Sequence, residues 1–122
     1  MSSPVSAAKI DDLVRRSDDG GIVTLTLNRP RQYNALSEAM LEALQGVLDD
    51  IAVDRSARVV VLAAEGRAFC AGHDLKEMRA HPDKAFQQAL FKRCSGVMLS
   101  LLRLPQPVIA RVHGMADRKS VV

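Results

Sequence analysis

A six-residue apolar run followed at once by a glycine-studded loop constrains this chain more than any other feature. Val59 to Ala64 reads V-V-V-L-A-A. Its length and β-branched content suit a strand, and the absence of polar alternation predicts burial on both faces. The loop from Gly66 to Met78 reads G-R-A-F-C-A-G-H-D-L-K-E-M. Ala68, Ala71 and Gly72 let backbone approach a ligand closely, and Gly72 tolerates the positive φ that other residues avoid. Asp74 stands where an N-cap would, ahead of Leu75, Lys76, Glu77 and Met78, so a short helix is expected to begin there. Strand, small-residue loop and helix start together suit anion binding. Amides at a helix N-terminus are unpaired and carry partial positive charge, so those near His73 are placed to stabilise an oxyanion.

The preceding chain supplies the layers around that strand. Ile10 to Arg16 is expected to form an edge strand, Ser17-Asp18-Asp19-Gly20-Gly21 a turn, and Ile22 to Leu27 a returning strand in which apolar residues and threonine alternate. Pro30 ends the hairpin, since proline donates no ladder hydrogen bond and restricts the residue before it. Ser37 is the expected N-cap of a helix running to about Val53, with Met40, Leu44, Val47 or Leu48, and Ile51 at helical spacing and Glu38, Glu42, Gln45 and Asp49 outside. Strand, helix and strand make a βαβ crossover, so the loop after Ala64 leaves the carboxyl end of a parallel strand, where open α/β sheets bind ligands. After a break at Ala80-His81-Pro82-Asp83, Lys84 to Leu104 is a second amphipathic helix. Phe86, Leu90, Val97, Leu101 and Leu104 lie near one face, with Met98 beside them. Pro105-Gln106-Pro107 ends it, and Val108 to Val112 is the next strand.

Composition narrows the function classes. The 122 residues allow one domain. A 3% aromatic content without tryptophan argues against stacking on single-stranded nucleic acid, and a scattered net charge of +3 makes no nucleic-acid surface. Cys70 and Cys94 show neither metal-ligand spacing nor disulfide density, so no metal is expected and a reducing compartment fits. No apolar run reaches the roughly 18 residues of a membrane span, and the first residues lack a signal core, so the expected location is cytoplasmic with no membrane partner.

Four stretches together resemble the enoyl-CoA hydratase/isomerase (crotonase) family: L-N-R-P-x-x-x-N-A-L at Leu27 to Leu36, the strand at Arg58 to Ala64, the A-F-x-x-G-x-D-L loop at Ala68 to Leu75, and P-Q-P-V-I-A-R-V-H-G at Pro105 to Gly114. They stand in the family's order and at about its spacing, from Leu13 to Ala116. The resemblance implies an α/β crotonase (Clp protease-like) fold of ββα units, of which this chain is an incomplete N-terminal part. Residues 1–9 are then a flexible lead-in, 10–116 the N-terminal part of a crotonase-like domain, and 117–122 a non-native tail. The tail, D-R-K-S-V-V, departs from the small-residue loop that follows H-G or N-G in the family. One back-translation, GATCGGAAGAGCGTCGTG with TAG next, matches common sequencing-adapter DNA.

The resemblance also implies roles. The His73 backbone N–H is the first donor of an oxyanion hole for a thioester enolate, with its imidazole a less favoured acid or base. Arg29, Arg31 and Lys76 are candidates for the coenzyme A phosphates. Ala68, Ala71, Gly72 and Asp74 belong to the loop that contacts the rest of coenzyme A, and Asp74 is a helix cap before it is a catalytic carboxylate. Cys70 is read as a small buried apolar group and His113-Gly114 as a turn. The second donor and the acid/base glutamates fall after Val112 in the family. The expected activity is hydration of a 2-enoyl-CoA in fatty-acid metabolism, with the coenzyme A thioester as substrate and no separate cofactor. This chain alone is expected to be inactive, and the full-length protein to be a homo-oligomer, trimer or hexamer. Isomerisation, dehalogenation, thioester hydrolysis and a non-catalytic coenzyme A-binding regulatory role remain alternatives. A peptidase has no support, since no serine sits in a recognisable nucleophile turn.

Overall fold

The computed structural model describes residues 13–32, 34–66, 69–70, 72 and 74–112. Four strands lie in the order in which the chain makes them: β1 (Val14–Asp19), β2 (Ile22–Leu27), β3 (Val59–Ala64) and β4 (Val108–Ala110). The first pair is an antiparallel hairpin with Asp19 opposite Ile22. Its turn is therefore only Gly20-Gly21, narrower than the expected Ser17–Gly21, and both glycines have positive φ, +59° and +90°. Positive φ at both central residues is the type I′ hairpin turn, whose twist matches that of its strands. Gly21 is further restricted, because a Cβ there would lie 2.9 Å from Arg58 Cδ.

β3 adds to β2 in parallel, with Leu27 beside Ala64, and β4 adds to β3 in parallel. β4 is shorter than expected, although Arg111 N–H still donates to Leu62 C=O. Helix α1 (Glu38–Ala52) carries the β2-to-β3 crossover, with Ser37 Oγ accepting from Met40 N–H as the sequence predicts. The short α2 (Leu75–Ala80) and the long α3 (Lys84–Arg103) connect β3 to β4.

The core gathers on one face of the sheet. Val23, Leu25 and Leu27 alternate inward on β2 and join Val60 of β3, Met40, Leu41, Leu44, Leu48 and Ile51 of α1, and Leu90 and Val97 of α3. Burying a side chain of this size is worth about 1.5–3 kcal/mol, so this single cluster is the main source of stability. Strand β3 meets the expectation of two buried faces in part: Val60 and Ala63, on opposite faces, are buried, while Val59, Val61, Leu62 and Ala64 are half-buried. Among the described residues the helices α1 and α3 contribute their apolar side chains to one cluster only, on the Val60 face. The outer side of α3 keeps Phe91, Met98, Leu99 and Leu102 exposed, Leu102 at 81%.

Candidate functional site

Because Leu27 and Ala64 are register partners in a parallel pair, the loops that follow them start side by side. One runs from Asn28 to Ser37 and the other from Glu65 to Asp74. Polar bonds then join the two loops along their length. Asn34, wholly buried at φ +54°, accepts from Arg29 N–H through Oδ1 at 2.7 Å and donates through Nδ2 to Glu65 C=O at 2.9 Å. Gly66, at φ +88°, lies against Pro30 so closely that a Cβ would fall 2.7 Å from Pro30 Cβ. Leu36 donates its N–H to Gly72 C=O (2.7 Å) and accepts from Asp74 N–H (3.3 Å). Leu36 thus engages residues 72 and 74 and makes neither of these bonds to the residue between them.

Asp74 is the charged centre of the far end. Its Oδ1 accepts from Glu77 N–H at 3.1 Å, capping α2 as the sequence predicts, and its Oδ2 accepts from Arg29 Nη1 at 3.1 Å. The Asp74 side chain is 11% exposed and that of Arg29 27%, so the pair is partly shielded from water. Glu77 reaches the opposite way, with Oε1 accepting from Glu38 N–H in the first turn of α1 at 2.9 Å. The start of α2 is therefore already supplied with a carboxylate.

Of the sequence-predicted site residues, the fold brings Arg29, Gly72 and Asp74 together. Arg31 is exposed on a 3-10 turn (Pro30–Gln32) beside them, and Lys76 is exposed on α2. His73, Ala68, Ala71 and His113-Gly114 lie outside the described residues, as do the lead-in and the tail. Cys70 packs against the core and its Sγ accepts from Gly72 N–H at 3.5 Å. Cys94 on α3 also packs against the core, and burial pushes its thiol upward, away from nucleophilic use. No group of three or more His, Cys, Asp or Glu side chains able to hold a metal occurs among the described residues.

Two residues that join elements escaped sequence reasoning. Asn34 and Glu77 both sit inside recognised stretches, but neither spacing nor composition says which backbone group a side chain will meet. The one available signal was an asparagine in a turn region, since asparagine tolerates positive φ better than most residues. A separate cavity of about 600 Å³, lined by Asp54, Arg55, Arg58 and Gln106 among others, lies at the amino ends of β3 and β4 and takes no part in this strand-end junction.

Comparison with known proteins agrees with this arrangement. Residues 17–117 match the enoyl-CoA hydratase/isomerase family. The chain is 42% identical to enoyl-CoA hydratase domain-containing protein 3, mitochondrial, of Xenopus laevis, over 79% of this chain and 33% of that protein. It is 37% identical to the Homo sapiens protein of the same name, over 93% of this chain and 34% of that one. The chain thus spans about a third of the length of these curated relatives. Among solved structures, an enoyl-CoA hydratase from Mycobacterium smegmatis superposes with a TM-score of 0.81 at 61% identity, covering 84% of this chain and 40% of that one. One from Bacillus anthracis gives 0.81 at 39% identity, covering 85% and 41%. The sheet and helices described above are part of the crotonase fold those structures share, and the chain belongs to the enoyl-CoA hydratase/isomerase family.

Proposed function

We propose that the junction at the carboxyl ends of β2 and β3 binds an acyl-CoA thioester and supplies the first backbone donor of an oxyanion hole, the N–H of His73. The observation that carries this reading is the bridging of Leu36 to both neighbours of position 73, through Gly72 C=O and Asp74 N–H. Fixed neighbours pre-set the direction of a backbone donor, and a donor that need not reorganise during reaction stabilises developing charge most effectively. Arg31 and Lys76, exposed on either side of the junction, are the cations proposed for the coenzyme A phosphates. Arg29 acts mainly on Asp74 and contributes positive potential nearby.

The proposed reaction is hydration of a 2-enoyl-CoA. Water adds across the C2=C3 bond, hydroxide to C3 and a proton to C2, through an enolate whose oxygen is held by two backbone donors. The second donor and the glutamates that move the protons belong, by family resemblance, to the chain after Val112. The 122 residues alone are accordingly proposed to be inactive, and the complete protein to be a cytoplasmic homo-oligomer acting in fatty-acid metabolism.

The test is a pair of substitutions in the full-length continuation of this chain. His73→Ala keeps the backbone donor and should cost less than about tenfold in turnover, whereas His73→Pro removes it and should cost about 10²–10³ in kcat. Equal losses for both, with coenzyme A binding and unfolding midpoint preserved, would assign the chemistry to the imidazole instead.

A further inference from the structure

We infer that Asn34 is a positioning residue that fixes both ends of the Glu65–Asp74 loop with one side chain. The inference rests on the proposed oxyanion role of that loop for its purpose, and on the described geometry for its mechanism. At the near end the amide acts directly, Nδ2 donating to Glu65 C=O at 2.9 Å, where Glu65 N–H already donates to Leu27 C=O at 2.8 Å. At the far end it acts through Arg29. Oδ1 accepts from Arg29 N–H, and Asn34 N–H donates to Arg29 C=O at 2.9 Å, so the backbone of Arg29 is held on both sides while its guanidinium holds Asp74.

Each property of the residue is needed. The side chain must accept at one atom and donate from another, which the asparagine amide does without charge through Oδ1 and Nδ2. The backbone must adopt φ +54°, which asparagine tolerates more readily than most residues. Complete burial removes water as a substitute partner, so a lost bond is not replaced. Among the described residues the junction is also held by Gly66 against Pro30, by Leu36 bonded to residues 72 and 74, and by Glu77 bonded to Glu38. Asn34 alone among these spans from one end of the loop to the other.

Two substitutions separate the two arms. Asn34→Asp keeps the acceptor for Arg29 N–H and the tolerance of positive φ, but loses the donor and sets an oxygen against Glu65 C=O. Asn34→Gly keeps only the backbone conformation. Residue-resolved amide hydrogen exchange on the ligand-free 122-residue chain reads the near end at the Glu65 amide and the far end at the Asp74 and Glu77 amides. For Asn34→Asp, exchange should rise about tenfold at Glu65 while Asp74 and Glu77 keep their protection; for Asn34→Gly it should rise about tenfold at all three. The Leu44 and Leu48 amides in the middle of α1 should change in neither. A uniform rise through α1 and β2 in both variants would make Asn34 a general stabiliser and overturn the inference, as would unchanged exchange at all three loop amides. Because no ligand is present, the end-selective pattern would stand even for a chain that took up no acyl-CoA, so failure of the functional reading and failure of this one are distinct results.

Discussion

The two ends of the sheet are both tied by buried or half-buried polar side chains, yet for different purposes. At the amino ends of β3 and β4, Gln106 Nε2 donates to the carbonyls of Ile51, Ala57 and Asp54 at 3.0, 3.2 and 3.5 Å, tying the end of α1 and the connection after it to the start of β4. Beside it Arg16 bridges Asp18 and Asp54, joining β1 to the α1–β3 connection. Every one of these bonds closes a gap in the scaffold. At the carboxyl ends, Asn34, Arg29, Asp74 and Glu77 join two loops and hold the chain on both sides of position 73. The comparison teaches that similar polar chemistry closes a helix end onto the sheet at one edge and ties two neighbouring loops together at the other.

Substitutions sharpen that contrast in order of size. Leu48→Ala, in the core shared by both ends, should destabilise the chain by about 2–5 kcal/mol and weaken the two ends alike. Gln106→Leu should cost about 1–3 kcal/mol, chiefly by taking the Gln106 donor from the Ala57 carbonyl, a loss read in the denaturant midpoint, while the Glu65 and Asp74 amides keep their relative protection. If that substitution instead released the loop amides selectively, the two ends would not be independent. Asp74→Ala should cost only about 1–2 kcal/mol, by removing the α2 cap and leaving Arg29 without its carboxylate. Its larger effect should be local, faster exchange at Glu77 with an unchanged amino end.

The smallest effect is one of pH. Asp54 is held at about 2, below its ordinary value of 3.8, first by the Ser56 hydroxyl and then by Arg16. A carboxylate depressed on folding contributes stability that is present in full above the unfolded value and lost as pH falls through the folded one. The amino end should therefore loosen between about pH 4 and pH 2. Asp54→Asn should flatten that portion of the unfolding curve.

The helices, the hairpin and the parallel crossover were legible because each rests on a local rule. Ser37, Asp74 and the Met40, Leu44, Leu48, Ile51 spacing act over one or two turns, and Gly20-Gly21 specifies its own conformation. What the residues could not announce was non-local. The turn narrowed because Asp18 and Asp19 continue the ladder opposite Val23 and Ile22, although their side chains favour turns. The run at Val59 to Ala64 suggested two fully covered faces, and burial is complete only at Val60 and Ala63, one on each face, because coverage depends on which elements lie above and below the strand. Gln106 sat between two prolines and read as a terminator, whereas its amide reaches carbonyls about fifty positions earlier in the chain. Asn34 and Glu77 escaped for the same reason: their partners, Glu65 and Glu38, are distant in sequence. The site loop itself was legible as a pattern of small residues, and its bonds to Leu36 and Arg29 were not.

The central claim is that the carboxyl-end junction, and not the cavity at the amino end, receives the acyl-CoA. Titrating the isotopically labelled 122-residue chain with butyryl-CoA and following backbone amide shifts tests it directly. The account predicts that the largest shifts fall on Arg29 to Gln32 and on Glu65 to Ala80, with Asp54 to Arg58 and Gln106 unmoved. Shifts centred on Asp54, Arg55, Arg58 and Gln106, or no shifts at any attainable concentration while the chain remains folded, would contradict it.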